Sequence, residues 1–341
     1  MHKEKIRFGL VGLGGISAAH ELGYREKIDR MGITAVCDLD ESVAAERARP
    51  HNATAYTDYR KLIDDSGVDA VDIMLPHNLH YPVARYALEQ KKHVIVEKPI
   101  SVEAEEGLVL IELAAKSGLR FTVAENTRFV KAYRQVENLV KQGVLGEPRF
   151  VRTFISGSEV WRLKDTANWK GRRDGTGGGA LLDAGAHSVY LIKWLLGEID
   201  EVHAYTSRYV SESQVEDGGI IVGQTKSGAF FSSEFSFVVE APWDERLEFH
   251  GSLGSIIVDQ LNDPPAVHFG GCKDIHGTAL ESVEYNPAHW KTRSIANGVK
   301  DFVDAIWDDR PPSVDPMDAC YAVKVINAAY SSASEIQSAK I

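Results

Sequence analysis

The segment Phe8–His20 reads FGLVGLGGISAAH, a short apolar strand pattern that breaks into glycines and resumes as a helical one. Gly12-x-Gly14-x-x-Ser17 approximates the spacing that cradles a pyrophosphate. The first glycine permits a tight turn, the second lets backbone approach the phosphates, and the amides at a helix start favour an anion. Ser17 is small enough for the third place, and Gly15 and Ile16 complete the loop. Asp38 closes the next apolar run about twenty residues on, where a carboxylate accepts hydrogen bonds from an adenosine ribose. As a strand-end residue it would equally serve a plain turn. The combined pattern predicts dinucleotide binding. NAD is expected rather than NADP, because Asp38 repels a 2′-phosphate and Leu39 offers no group to hold one. A second stretch, VIVEKPIS at Val94–Ser101, ends a buried strand pattern in a carboxylate, an ammonium and a proline. Strands that merely turn usually finish in Gly, Asn or Asp. Glu97-Lys98-Pro99 is therefore either a surface ion pair ahead of a helix or a strand end kept for chemistry.

The elements that must position these residues follow one rhythm in the first third. β-Branched runs at Ile6–Val11, Ile33–Cys37, Ala70–Leu75, His93–Val96 and Arg120–Ala124 alternate with helical stretches such as Ser17–Arg30, Tyr81–Gln90 and Val102–Lys116. Such alternation implies right-handed crossovers and a parallel sheet buried on both faces. After about residue 125 a helix (Val130–Gln142), a strand (Arg149–Ile155) and an apolar helix (Ala180–Leu196) lead into consecutive strand patterns. These are Glu201–Val210, Gly218–Thr225, Ala229–Val239, Arg246–His250 and Ser255–Asp259, the last two joined as a hairpin through Ser252-Leu253-Gly254. Helices at Ser294–Trp307 and Pro316–Ala333 finish the chain. The expected fold is α/β plus α+β. A Rossmann domain spans residues 1–125, and a substrate-binding and oligomerisation domain on a large open, mostly antiparallel sheet spans residues 126–341.

The 341 residues suffice for two ordinary cores, with 44% apolar and 26% charged residues. A net charge of −11 disfavours nucleic acid and anionic membranes as partners. Three cysteines (Cys37, Cys272, Cys320) in no paired or metal-ligand spacing suggest a reducing compartment. The charged start Met1-His2-Lys3-Glu4-Lys5 does not resemble a signal peptide, and no apolar run is long enough to span a bilayer. A cytoplasmic location is expected.

Four segments in order, GLGGISAAH, DIMLPHNLH (Asp72–His80), EKP and GGGALLDAGAH (Gly177–His187), together resemble the glucose–fructose oxidoreductase / inositol dehydrogenase / MocA family over nearly the whole chain, to the ending AAYSSASE (Ala328–Glu335). The resemblance implies NAD(P)-linked oxidation of a sugar or cyclitol hydroxyl, or the reverse reduction. It also implies a homodimer or homotetramer formed through the second domain's sheet. The signature Glu-Lys-Pro places Lys98 beside nicotinamide and substrate, with a cis Lys98–Pro99 bond, and Glu97 among the coenzyme's neighbours. The Asp-x-x-x-His segment contributes Asp183 and His187. Their spacing of four puts both on one helix face, though a satisfied core pair would look the same. Gly177-Gly178-Gly179 just upstream would let backbone approach another molecule.

Further candidates follow from position. Leu75 closes a strand pattern and Pro76, Asn78 and His80 lie just past it, where the family contacts coenzyme, although His80 could cap the next helix instead. His77-x-x-His80 lacks further ligands, so no metal is expected. Asn126 and Trp169-Lys170, fourteen residues before Asp183, are candidate coenzyme neighbours. Arg128, Trp161 and Arg162 are candidate substrate contacts, although surface roles suit Asn126 and Arg128 equally well and packing is the preferred reading for Trp161. Tyr190 stands where many relatives carry an acid. Two further activities fit the same motifs: a glycosidase that oxidises its substrate transiently with retained NAD, and a non-catalytic NAD-binding regulator. A regulator would be expected to lose Lys98 or His187, and this chain keeps both.

Overall fold

The computed structural model describes residues 4–65, 67–259, 266–271, 275–279 and 290–335. Met1–Lys3 and Cys272, both used in reading the sequence, lie outside them. In chain order the first elements are β1 (Ile6–Val11), α1 (Ser17–Arg25), β2 (Met31–Cys37), α2 (Glu41–Ala48), β3 (Thr54–Tyr56), α3 (Tyr59–Asp64), β4 (Ala70–Ile73), α4 (His80–Glu89), β5 (His93–Val96), α5 (Ala104–Ser117) and β6 (Phe121–Val123). Then come α6 (Lys131–Lys141), β7 (Pro148–Ser156), α7 (Val160–Lys164), α8 (Arg173–Thr176), α9 (Ala186–Leu196), β8 (Ile199–Ser207), β9 (Gly218–Thr225), β10 (Phe230–Ser236), β11 (Asp244–Gly251), β12 (Ser255–Asp259), β13 (Ala266–Gly270) and β14 (Ile275–Ala279). The helices α10 (Trp290–Trp307) and α11 (Pro316–Glu335) close the described chain.

Two compact units result: Met1–Phe129 with Lys291–Cys320, and Val130–Trp290 with Tyr321–Ile341. A linear cut at 125/126 places residues 126–129 and 291–320 on the other side. The reason is packing: α10 buries Val299, Phe302 and Val303 in the first unit's core, with the Phe302 ring edge-on to Phe8 at 6.0 Å. An amphipathic period announces a buried helix face without saying which sheet it meets.

The first unit holds a six-stranded parallel sheet ordered β3-β2-β1-β4-β5-β6. The short strand β3 and helices α2 and α3 were not anticipated. β1, β4 and β5 end side by side, because Val11 pairs with Ile73 and Ile73 with Val96. The residues that follow them (Gly12, Met74, Glu97) therefore emerge at one edge, the place where ligands of such sheets bind.

The second unit is an eight-stranded sheet ordered β14-β13-β12-β11-β7-β10-β9-β8, antiparallel except where β7 and β10 run parallel. The expected β11–β12 hairpin is present, with His250 opposite Ser255. Alternation along the strands sends Val151, Phe231, Phe249 and Ile256 into the core. The expected helix over 180–196 is in two parts: a π-helical turn at Leu181–Gly185, then α9.

Candidate active site

In the first unit the dinucleotide loop has the form its glycines predicted. Gly12 adopts φ +90°, and a Cβ there would lie 2.3 Å from the Met74 carbonyl oxygen. Only glycine fits. Gly14 and Gly15 face open space, where a Cβ would meet nothing within 4 Å. The loop therefore presents bare backbone at the start of α1, and Ser17 closes it by donating to the Gly14 carbonyl at 2.7 Å. Asp38 reaches back across the sheet edge to accept from Leu13 N–H at 3.0 Å and Asp40 N–H at 3.1 Å, while Leu39 is 91% exposed. A carboxylate at the end of β2, tied to the glycine loop, and an uncluttered helix start fit a dinucleotide: the loop would take the pyrophosphate and Asp38 the ribose.

Past β4, Leu75 and Pro76 lead into a short turn with Asn78 exposed and His80 buried. The His80 Nδ1 lies 2.6 Å from the Pro99 carbonyl and Nε2 2.7 Å from that of Leu75. Carbonyls only accept, so a neutral ring satisfies one of them. Burial nonetheless prevails over both carbonyls and holds the His80 pKa below its ordinary value. His80 thus ties the turn after β4 to Pro99. The Lys98–Pro99 bond is cis, as expected, and Lys98 is half-buried.

Glu97 does not form a surface ion pair. One oxygen meets His20 Nε2 at 2.9 Å, and the other accepts from Lys98 N–H at 3.1 Å. His20 Nδ1 in turn meets Asp72 at 2.8 Å, and Tyr24 donates to the same Asp72 oxygen at 2.9 Å. Burial opposes a charged His20 ring, but Asp72 and then Glu97 outweigh it and raise its pKa to about 10. Burial likewise works against an ionised Glu97, yet hydrogen bonding and charge from His20 hold its pKa below the usual carboxylate value. Burial, then Asp72, pushes the Tyr24 phenol well above its ordinary value. His20, Tyr24 and Asp72 were missed as site residues. Their one signal was a histidine closing the glycine loop and a carboxylate inside an apolar strand.

In the second unit Asp183 sits in the π-helical turn and His187 near the start of α9. Single π turns inside helices recur at functional positions. The Asp183 carboxylate accepts from Lys170 Nζ at 3.0 Å. Lys170 follows Trp169 in a turn capped by Asn168, and its Nζ lies 5.9 Å from the Trp169 and Phe237 ring centres. Upstream, the glycine run is demanded by the chain itself. A Cβ on Gly178 would lie 2.2 Å from the Tyr330 hydroxyl, and one on Gly179 would lie 1.8 Å from the Glu216 carbonyl oxygen. At Gly178 and Gly179 this corrects the expectation that the glycines serve approach by another molecule. Buried Glu216 accepts on one oxygen from Gly179 N–H at 2.9 Å, Leu181 N–H at 3.1 Å and Tyr330 OH at 2.6 Å. It satisfies amides that the helix start would otherwise leave unpaired. Tyr190 is buried within α9.

Two family models match the chain. Residues 6–125 match the oxidoreductase family, NAD-binding Rossmann fold, and residues 133–257 match the GFO/IDH/MocA C-terminal domain. The chain belongs to the glucose–fructose oxidoreductase / inositol dehydrogenase / MocA oxidoreductase family. Among relatives, it is 31% identical to dTDP-3,4-didehydro-2,6-dideoxy-alpha-D-glucose 3-reductase of Streptomyces violaceoruber, over 77% of this chain and 75% of that protein. It is 27% identical to myo-inositol 2-dehydrogenase of Thermotoga maritima, over 98% of both. The solved oxidoreductase domain protein of Kribbella flavida superposes with a TM-score of 0.88 at 26% identity, covering 98% of each chain. The first unit is accordingly an NAD-binding Rossmann domain.

Among the remaining candidates in this family member, Asn126 is buried and donates to Ser294 of α10 at 2.8 Å, and Arg128 follows in the same short turn. Trp161 is 64% exposed on α7, so packing does not explain it. The Arg162 guanidinium lies 4.7 Å from its ring centre and pairs with Glu159 at 2.5 Å. No group of three or more potential metal ligands is found among the described residues, and none of their helices is long and apolar enough to cross a membrane.

Proposed function

We propose that this oxidoreductase is an NAD-dependent dehydrogenase that oxidises a secondary hydroxyl of a sugar, glycoside or cyclitol, or runs the reverse reduction. The observation that carries the reading is the pairing of an NAD-type loop and Asp38 with a lysine, Lys98, at the end of β5, in a chain that also keeps Asp183 and His187 on one helical segment. The relatives named above act on a deoxysugar nucleotide and on an inositol, which supports a polyhydroxylated substrate. Gly12, Gly14, Gly15 and Ile16 would hold the pyrophosphate, Asp38 the ribose, and Leu75, Pro76, Asn78 and Trp169 would flank the coenzyme. When bound, the coenzyme supplies the hydride acceptor.

An alcohol is far too weak an acid to lose its proton unaided at neutral pH, so a positioned base is needed. His187 is assigned that role, since an imidazole is the side chain best suited to it. Lys98 donates a hydrogen bond to the same oxygen and stabilises its developing negative charge. Asp183, held by Lys170, keeps the polar groups in register, and Arg128, Trp161 and Arg162 are assigned to the substrate. We also place a homo-oligomer interface on the outer face of the second unit's sheet. A panel of polyols, glycosides and nucleotide sugars with NAD, read as NADH absorbance, should show turnover of at least one class. Lys98→Ala and His187→Ala should each cut that turnover by about 10²-fold or more while NAD affinity changes far less. Wild-type turnover in either variant removes that residue from the scheme.

A further inference from the structure

The cluster behind Lys98 is used by no step above. His20, fully buried, lies between two carboxylates, at 2.8 Å from Asp72 and 2.9 Å from Glu97. Tyr24 donates to one Asp72 oxygen, and the other is buried with no hydrogen-bond partner among the described residues. Two carboxylates and one imidazolium sum to one net negative charge, out of water. Glu97 directs its remaining oxygen to the backbone N–H of Lys98 at 3.1 Å.

Such clusters are poor stabilisers, because desolvation offsets most of the attraction and apolar replacements of similar shape often do as well. Three charged residues from α1, β4 and the end of β5 are more than a strand end needs in order to fold. The titratable groups facing Glu97 are His20 from α1, His80 at the start of α4 and Lys98 itself, while Asp72 from β4 and Tyr24 from α1 lie on the other side of His20. Tyr24 and His80 are both shifted toward their neutral forms, so His20 is the cation that offsets the two carboxylates.

We propose that His20, Asp72 and Glu97 form a positioning network that fixes the Lys98 backbone, and that its residual negative charge keeps the Lys98 side chain an ammonium. Lys98 then enters the reaction as a hydrogen-bond donor and leaves proton abstraction to His187. The inference rests on the dehydrogenase reading for the role of Lys98, and it deepens that reading by dividing the labour between the two residues.

Its test needs no turnover. The full-length protein without coenzyme is acylated competitively with acetic anhydride over a pH series, and the Lys98 peptide is quantified by mass spectrometry. Glu97→Gln keeps the shape and one of the two acceptor oxygens but removes the charge. Its half-reaction pH at Lys98 should fall by about one unit, a tenfold change in proton affinity. Glu97→Asp, which keeps the charge, should stay near the wild-type value. Coincident curves for wild type and Glu97→Gln overturn the proposal, as does a fall in Glu97→Asp equal to that in Glu97→Gln. Should Glu97→Gln fail to fold, Glu97→Met removes the same charge with a side chain of similar length. It must lower the half-reaction pH in the same sense, and an unchanged value again overturns the idea. Turnover of Lys98→Ala judges the dehydrogenase reading separately, so the two can fail independently.

Discussion

At the scale of single residues, Asp38 is asked to do two things at once. It accepts the Leu13 and Asp40 amides, which holds the glycine loop against the end of β2, and it keeps a negative charge at the edge where an adenosine ribose would lie. A 2′-phosphate there meets a carboxylate and the side chain of Leu39, neither of which can neutralise it. NAD should be preferred over NADP by at least about tenfold in kcat/KM, or roughly 1.4 kcal/mol. Asp38→Ser retains an acceptor for one amide but loses the charge, so the preference should relax toward NADP. Steady-state kinetics with both coenzymes check this, and equal use of the two by the wild type would show that Asp38 does not face the ribose. The same scale shows where sequence reading stops. Asp38 was legible because its partner loop lies at a recurring spacing. His20 was not, because its meaning depends on Asp72 and Glu97, 52 and 77 residues away, and no local pattern announces that meeting.

At the scale of elements, the strand bounds of β1, β5, β9 and β12 are those read from β-branched runs and their breakers, because buried strands are written in consecutive residues. The π turn ahead of α9 was not readable: a helical apolar period does not say where one extra residue enters a turn. The device that fixes this turn is Glu216, which comes from the segment before β9 and gathers two helix-start amides and the Tyr330 hydroxyl on one oxygen. Removing it strands buried donors, each costing about 1–3 kcal/mol. Glu216→Ala should therefore lower the unfolding free energy by at least about 2 kcal/mol, whereas Glu216→Gln, which keeps an acceptor oxygen, should lose much less. Urea unfolding of the two variants checks the order. Because Asp183 lies within the capped turn, Glu216→Ala should also reduce turnover in whatever fraction remains folded.

At the scale of the whole molecule, one face of the second unit's sheet carries Phe150, Phe230 and Ile257 as exposed side chains among the described residues. Pairing across β10, β7 and β11 sets Phe230 beside Phe150 and Phe150 beside His250, with the last two rings stacked at 6.2 Å. Ser232, Arg152, Glu248 and Ile257 form the next row, and Arg152 crosses to Glu234 in a two-pronged ion pair at 2.9 and 3.0 Å. A depression of about 290 Å³ on the same face is lined by Arg152, Phe154, Arg246 and Glu248 among others, and by none of the residues assigned to chemistry. Apolar side chains in register, mixed with charges able to pair, suit a second copy of the same surface, because a two-fold contact requires the patch to complement itself. The protein should therefore run as a dimer or tetramer by light scattering. Phe230→Asp places a charge in the apolar row without touching the opposite face of the strand, where Phe231 and Phe235 are buried in the core. It should shift the mass toward the protomer while NAD affinity stays within about twofold, since the coenzyme loop belongs to the other unit. A wild-type protein that is monomeric at micromolar concentration, or a Phe230→Asp variant with an unchanged mass, would remove this face from the assembly.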